Sequence, residues 1–192
     1  MDSGNISIGR GLAVVALDCR GTWELGNTFG FGLGGLLPEV QNALMQSGWS
    51  IDRSVDVAPV VGALREAGYH LGEQVSELYQ NLYGLSVQPV DHPGACFMNS
   101  DPIQFSAGWG VRHRAEALRL ESLYGEDFSP FCRWLSGAHI YISGSGRVYS
   151  WFDRLVWEIG ADARDAVDFM VLAHRPLVCV HAEPGRAPWP VP

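Results

Sequence analysis

"HIYISGSGRVYSWF", residues 139–152, sets an alternating aromatic and aliphatic run on each side of a Gly-Ser-Gly-Arg step. Glycines around a serine can cradle a phosphate, hold a catalytic nucleophile, or turn a hairpin. The first two need a helix directly after the glycines, the phosphate for the helix dipole and free amides and the nucleophile for its strand-to-helix elbow. Here the residues that follow keep a period of two. His139, Tyr141 and Ser143 alternate with Ile140 and Ile142, and Arg147, Tyr149 and Trp151 alternate with Val148 and Ser150. Two such runs around Ser143 to Gly146 read as a β-hairpin, the turn supplying the positive φ angles a tight connection needs. The serine is a turn residue, and the stretch speaks for an antiparallel sheet.

Working outward, "PFCRWLS" (130–136) and "LVWEIG" (155–160) extend the strand meander on either side. "DARDAVDFMVLA" (162–173) reads as a closing helix with Ala166, Val167, Met170 and Val171 inward, and "LVCVH" (177–181) as one more strand. Upstream, "VRHRAEALRLESLYG" (111–125) is helical, with Ala115, Leu118 and Leu123 as inward candidates. "LSVQPV" (85–90) and "ACFMNS" (95–100) read as strands around the turn "DHPG" (91–94). Three helices precede them. "LPEVQNALMQSGW" (37–49) has Pro38 in its first turn and Gly48 at its stop. The next starts at an Asp56 N-cap and turns Val60, Val61 and Leu64 inward before Gly68. "EQVSELYQNLYG" (73–84) places Val75, Leu78, Tyr79 and Leu82 on one face. "GLAVVALDCR" (11–20) reads as a buried strand, followed by a glycine-rich segment. The order predicts an α+β fold: a largely antiparallel twisted sheet, flanked by N-terminal helices and closed by a C-terminal helix. It divides into an N-terminal extension over 1–40, an α+β domain over 41–182, and a proline-rich tail over 183–192.

Composition narrows the class of function. The 192 residues are 47% hydrophobic and 18% charged, as in a globular chain. The longest apolar run, Leu12 to Leu17, is far short of the roughly 20 residues a bilayer span needs. Asp2 precedes it with no basic n-region and no small-residue cleavage site, which points to the cytoplasm and to no membrane partner. All thirteen basic residues are arginine, and the net charge is −8. Between Trp49 and Gly110, Asp52, Asp56, Glu66, Glu73, Glu77, Asp91 and Asp101 face only Arg53 and Arg65, a local net of −5. Such a surface repels nucleic acid and favours a basic partner. Cys19, Cys96, Cys132 and Cys179 include no C-x-x-C pair, so reduced thiols are expected rather than a disulfide framework or zinc knuckle.

Four chemical motifs fail on context. Gly30, Gly32 and Gly35 satisfy G-x-G-x-x-G with Asp52 twenty residues past Gly32, but Pro38 follows at once and no second parallel strand exists. The six histidines form no H-E-x-x-H or H-x-H pair and fall on different elements, so metal ligation would be wholly tertiary. Cys132 and His139 lie on consecutive strands and leave open a thiol enzyme, although Phe131 and Trp134 suggest a buried thiol. The pairs Glu73–Glu77, Asp162–Asp165 and Asp165–Asp168 belong to polar helix faces, whereas acid/base work needs a desolvated carboxyl. No catalytic, cofactor or metal residue is assigned, and the chain reads as a non-enzyme.

The order "SGWSIDRSVDV", "LREAGY", "LYGLSV", "GSGRVYSW" and "LVWEIGADARDAVDFMVLAHRP" resembles the SUKH superfamily, most closely its SUKH-3 branch. The residues that carry it are Gly48, Trp49, Arg53, Val55-Asp56, Tyr83-Gly84-Leu85, Gly146-Arg147-Val148-Tyr149 and the run from Gly160 to Pro176. It covers roughly residues 45–176; the stretch from Asp91 to Arg114 matches poorly, and the first forty residues have no counterpart. The resemblance implies an immunity protein that neutralises a cognate toxin of a bacterial polymorphic toxin system, of nuclease or deaminase type, by direct binding. The alternative is an accessory subunit that stabilises a deaminase-like or biosynthetic enzyme. Asp52, Glu66, Glu73, Glu77, Asp91 and Asp101 are the expected partner contacts, on the strength of the local acidic excess.

Overall fold

The structure is a computed structural model that describes residues 14–17, 23–26 and 34–189. Strands β1 (Val14–Leu17) and β2 (Trp23–Gly26) pair antiparallel as a two-stranded sheet. Helices α1 (Pro38–Gln46), α2 (Ala58–Glu66) and α3 (Glu73–Leu82) follow, then β3 (Ser86–Val87) and β4 (Ile103–Gln104). A 3-10 turn over Gly108–Arg112 leads into α4 (Arg114–Tyr124). The chain ends with β5 (Phe128–Trp134), β6 (Ala138–Ser143), β7 (Val148–Phe152), β8 (Leu155–Gly160), α5 (Ala163–Leu172) and β9 (Val178–Ala182). Strands β3 to β9 form one seven-stranded sheet in sequence order, every neighbouring pair antiparallel. The fold is α+β.

The hairpin between β6 and β7 organises both faces of that sheet. Ile142 pairs with Val148 and Tyr141 with Tyr149, so one face receives aliphatic residues and the other aromatic ones. Ile140, Ile142 and Val148 join a core with α1 and α5, through Val40, Leu44, Val167 and Met170. Tyr141, Tyr149 and Trp151 join a second core with α2 and α4, through Val61, Leu64, Ala117 and Leu120. Helix α3 serves both, Leu82 in the first and Tyr79 in the second. The turn is closed by Ser143 N donating to Arg147 O (2.8 Å) and Gly146 N to Ser143 O (2.9 Å). Within it Gly146 alone takes a left-handed φ, +91°, the place a three-residue hairpin loop reserves for glycine.

Two helices stop by the same device. At α1, Gly48 N donates to Met45 O and Trp49 N to Leu44 O, with Gly48 at φ +92°. At α2, Gly68 N donates to Arg65 O and Tyr69 N to Leu64 O, with Gly68 at φ +86°. Both are Schellman caps, in which the aromatic residue after the glycine folds back toward the leucine of the last turn. Trp49 and Tyr69 are accordingly buried.

Three expectations need correction. Helix α2 begins at Ala58, after Val57, and Asp56 bonds Ala58 N through its carboxylate (2.9 Å) just outside it. "ACFMNS" is no strand, because its polar groups go to the end of α5: Cys96 N donates to Ala173 O and Asn99 Nδ2 to Met170 O. Helix α4 buries Ala117 and Leu120, leaving Ala115, Leu118 and Leu123 exposed. Its inner side is partly polar, with Arg114 clamped on Glu121 by bonds of 2.7 and 3.0 Å, so apolar residues alone mark the wrong face. Gly30 and Gly32, and the side chains expected to bury "GLAVVALDCR", lie outside the described residues.

An ion pair ties the end of α5 to its start. Arg175 donates to both Asp165 oxygens (2.5 and 3.1 Å) and to Ile159 O. Burial works to raise the Asp165 carboxyl, but the bonds from Arg175 and from Ala161 N outweigh it and hold the group below its usual range. A depressed carboxyl stabilises the fold above its unfolded pKa of about 3.9, and that contribution disappears as pH falls through the folded value. Both side chains are about one-third exposed, which limits the effect to about 1 kcal/mol. Urea unfolding between pH 6 and 3 should therefore show a shallower acid limb in Asp165→Asn than in the parent.

Candidate binding cleft

A cleft of about 750 Å3 opens where four elements meet. One wall is the start of α3, which presents Glu73 and Glu77 one turn apart. The opposite wall is the start of α5, where Asp162 is held as N-cap by Arg164 N (2.8 Å) and Asp165 N (2.9 Å). The β6–β7 turn contributes Gly144 and Gly146, and the α4–β5 connection contributes Asp127, paired with His70 Nδ1 at 3.2 Å. Buried Ser129, Ile142 and Ser143 form the floor. Four acidic residues thus line the space together with Arg164 and His70, Asp127 paired with His70 and Asp162 with its helix amides. Such a surface accepts basic side chains.

The sequence-derived contact residues divide around it. Glu73 and Glu77 line the cleft. Asp52 is exposed in the turn after α1, and Glu66 is exposed at the end of α2. Asp91 lines a second hollow, of about 770 Å3, beside Leu172 and Ala173. Asp101 is engaged within the fold, accepting from Ser136 N and Ser136 Oγ (2.5 and 3.2 Å) at the β5–β6 turn. Asp127 and Asp162 complete the cleft and escape a reading by local charge excess, since each comes from a stretch of mixed sign.

The motif residues sit at backbone junctions. Besides Gly48, Trp49, Asp56 and Gly146, Arg53 Nη2 donates to Tyr83 O (2.8 Å) and Gly84, at φ +86°, donates its N–H to Phe105 O (2.7 Å). Arg147 lies 3.7 Å from Glu158, and buried Tyr149 packs on Tyr124 and Phe128.

The thiol-enzyme alternative does not survive the register. Cys132 pairs with Ile140 and belongs to the α1/α5 core, whereas His139 pairs with Arg133 and stacks on Trp109 (4.2 Å, 8°). The two side chains point to opposite faces of the sheet. Cys132 meets Met170 Sδ at 3.8 Å, and complete burial pushes its thiol well up. His139 instead reaches Glu116 Oε2 through Nδ1 (2.7 Å), and His113 Nδ1 reaches Glu116 Oε1 (3.0 Å). Burial would raise the Glu116 carboxyl, but hydrogen bonds from His139, His113 and Tyr141 hold it low.

A family model described as SUKH-3 immunity protein matches residues 36–172. The chain belongs to the SUKH-3 immunity protein family. No curated protein and no solved structure matches it. The span that carries the SUKH-3 match opens two residues before α1 and closes on the last residue of α5, so it contains every wall of the acidic cleft. Strands β1, β2 and β9 lie outside it. Among the described residues no helix is long and apolar enough to cross a membrane.

Proposed function

We propose that this SUKH-3 protein acts in the cytoplasm as an immunity protein, neutralising a cognate polymorphic toxin of nuclease or deaminase type by direct binding through the acidic cleft. The observation that carries the reading is the convergence of Glu73, Glu77, Asp127 and Asp162 on one concavity within the family-matched span. Enzymes that process nucleic acid line their active sites with cations to hold phosphate, and a cleft of carboxylates complements such a site. Complementary charge accelerates encounter and rejects wrong partners, while buried aromatic or arginine anchors of the toxin supply affinity. Asp52, Glu66 and Asp91 extend the negative field beyond the cleft; Asp101, tied to Ser136, adds mainly charge.

The test is protection and binding together. Co-production with a cognate toxin domain should restore growth, and the purified pair should associate. Glu73→Arg with Glu77→Arg should then slow association about 10- to 100-fold at low salt, with a smaller effect from Asp52→Arg with Glu66→Arg. An unchanged association rate in the first pair removes the cleft from the contact. Binding to a metabolic enzyme without protection from any toxin would establish the accessory-subunit reading instead.

A further inference from the structure

On the aromatic face of the sheet, away from the cleft, three side chains converge in a way the immunity role does not require. His113 is the N-cap residue of α4, Glu116 lies in that helix's first turn, and His139 stands on β6. One ligand atom from each falls within 4.8 Å of the others. We propose that His113, Glu116 and His139 bind a divalent transition-metal ion of the Zn2+ class.

The separations suit it. With metal–ligand bonds of about 2.0–2.1 Å, neighbouring ligand atoms of a tetrahedral site lie about 3.3 Å apart. His113 Nδ1 lies 3.0 Å from Glu116 Oε1 and His139 Nδ1 2.7 Å from Glu116 Oε2. With all three ligand atoms within 4.8 Å of one another, an ion enters by closing the widest pair by up to about 1.5 Å, within reach of side-chain rotation. Each histidine then carries its proton on Nε2 and offers the Nδ1 lone pair, a change of tautomer with no change of charge.

The supporting contacts are those of a held ligand set. Trp109 stacks on the His139 ring and fixes its plane. The Tyr141 hydroxyl donates to Glu116 Oε2 (3.0 Å) and orients the carboxylate, the kind of outer contact that tunes a metal ligand. Among the described residues no arginine pairs with Glu116, since neighbouring Arg114 is committed to Glu121. The carboxylate's partners are therefore the two imidazoles, both metal donors, and the Tyr141 hydroxyl. His113 is 39% exposed, Glu116 22% and His139 14%, which leaves solvent a path to the site and a further coordination position to water. Two imidazoles and one carboxylate select Zn2+, Co2+ or Ni2+ over Mg2+ or Ca2+, which prefer all-oxygen shells.

Calorimetric titration of the chelator-stripped chain with ZnCl2 at pH 7.5 tests the site, with CoCl2 followed by visible absorption. One ion per chain should bind with Kd on the order of 1 μM or tighter. His113→Ala and His139→Ala should each weaken binding about 100-fold, and Tyr141→Phe about 10-fold. His113 is exposed enough that its alanine variant keeps the fold, as circular dichroism would verify. No saturable uptake, uptake unchanged in His113→Ala, or equal uptake of Mg2+ overturns the proposal.

Discussion

Trp134→Ala should lower the melting temperature by roughly 8–16 °C, from about 4 kcal/mol of lost stability in a domain of this size. The indole is 2% exposed and touches Phe97 and Phe169 with ring centroids 6.0 and 5.6 Å away. Its Nε1 donates to Asn99 Oδ1 at 3.1 Å, and Asn99 Nδ2 in turn donates to Met170 O at 2.6 Å. Removing the ring leaves a cavity and strips a partner from Asn99 in one step, and both losses fall on the same joint. Residues 90–99 are held against the sheet by that joint and by Val90 N and Cys96 N bonded to Val171 O and Ala173 O. The expected result is therefore local as well as global: faster proteolysis around Cys96 to Met98, at temperatures where the sheet is still folded. Trp134→Phe separates the contributions, since it keeps most of the packing and loses the bond to Asn99. A full parental melting temperature in Trp134→Ala would show that the segment does not depend on the indole.

That segment also marks where the sequence stops being informative. The hairpin is legible because its two runs alternate and its turn carries glycine at the left-handed position. The ends of α1 and α2 are legible because Leu44 to Trp49 and Leu64 to Tyr69 repeat the spacing of a Schellman cap. Residues 95–100 alternate well enough to suggest a strand, yet their partners are helix carbonyls from some 70 residues later, which no local pattern records. Helix α4 misleads for a different reason: Arg114 and Glu121, two turns apart on the same helix, satisfy each other on its inner side, so apolar residues do not mark that face. The acidic cleft shows the same limit at the level of function. Glu73 and Glu77 could be selected by counting charge along the chain, but Asp127 and Asp162 reach them only through the sheet and α5. His113 and Glu116 are visible as an i, i+3 pair, while His139 joins them across the α4–β6 interface.

Gly160→Ala should destabilise the chain by about 3 kcal/mol, or roughly 6–12 °C in melting temperature, although the substitution adds one methyl group. A Cβ at Gly160 would lie 2.5 Å from Ala166 N and 2.7 Å from Ala166 Cα, backbone atoms that no rotamer change can move aside. Helix α5 must retreat from β8 as a body. Its start is pinned from several sides: Asp162 caps Arg164 N and Asp165 N, Asp165 accepts from Ala161 N, and Arg175 bridges Asp165 to Ile159 O. Retreat therefore strains the bonds that orient the Asp162 wall of the cleft. Two readouts follow from one displacement. Thermal unfolding reports the lost packing of Val167 and Met170 on the sheet, and association with the proposed toxin partner reports the shifted wall. The cleft reading requires that folded Gly160→Ala, assayed well below its melting temperature, associate more slowly than the parent. A destabilised variant with parental association kinetics would place the contact elsewhere on the acidic surface, around Asp52 and Glu66, while leaving the close packing of α5 on β8 established.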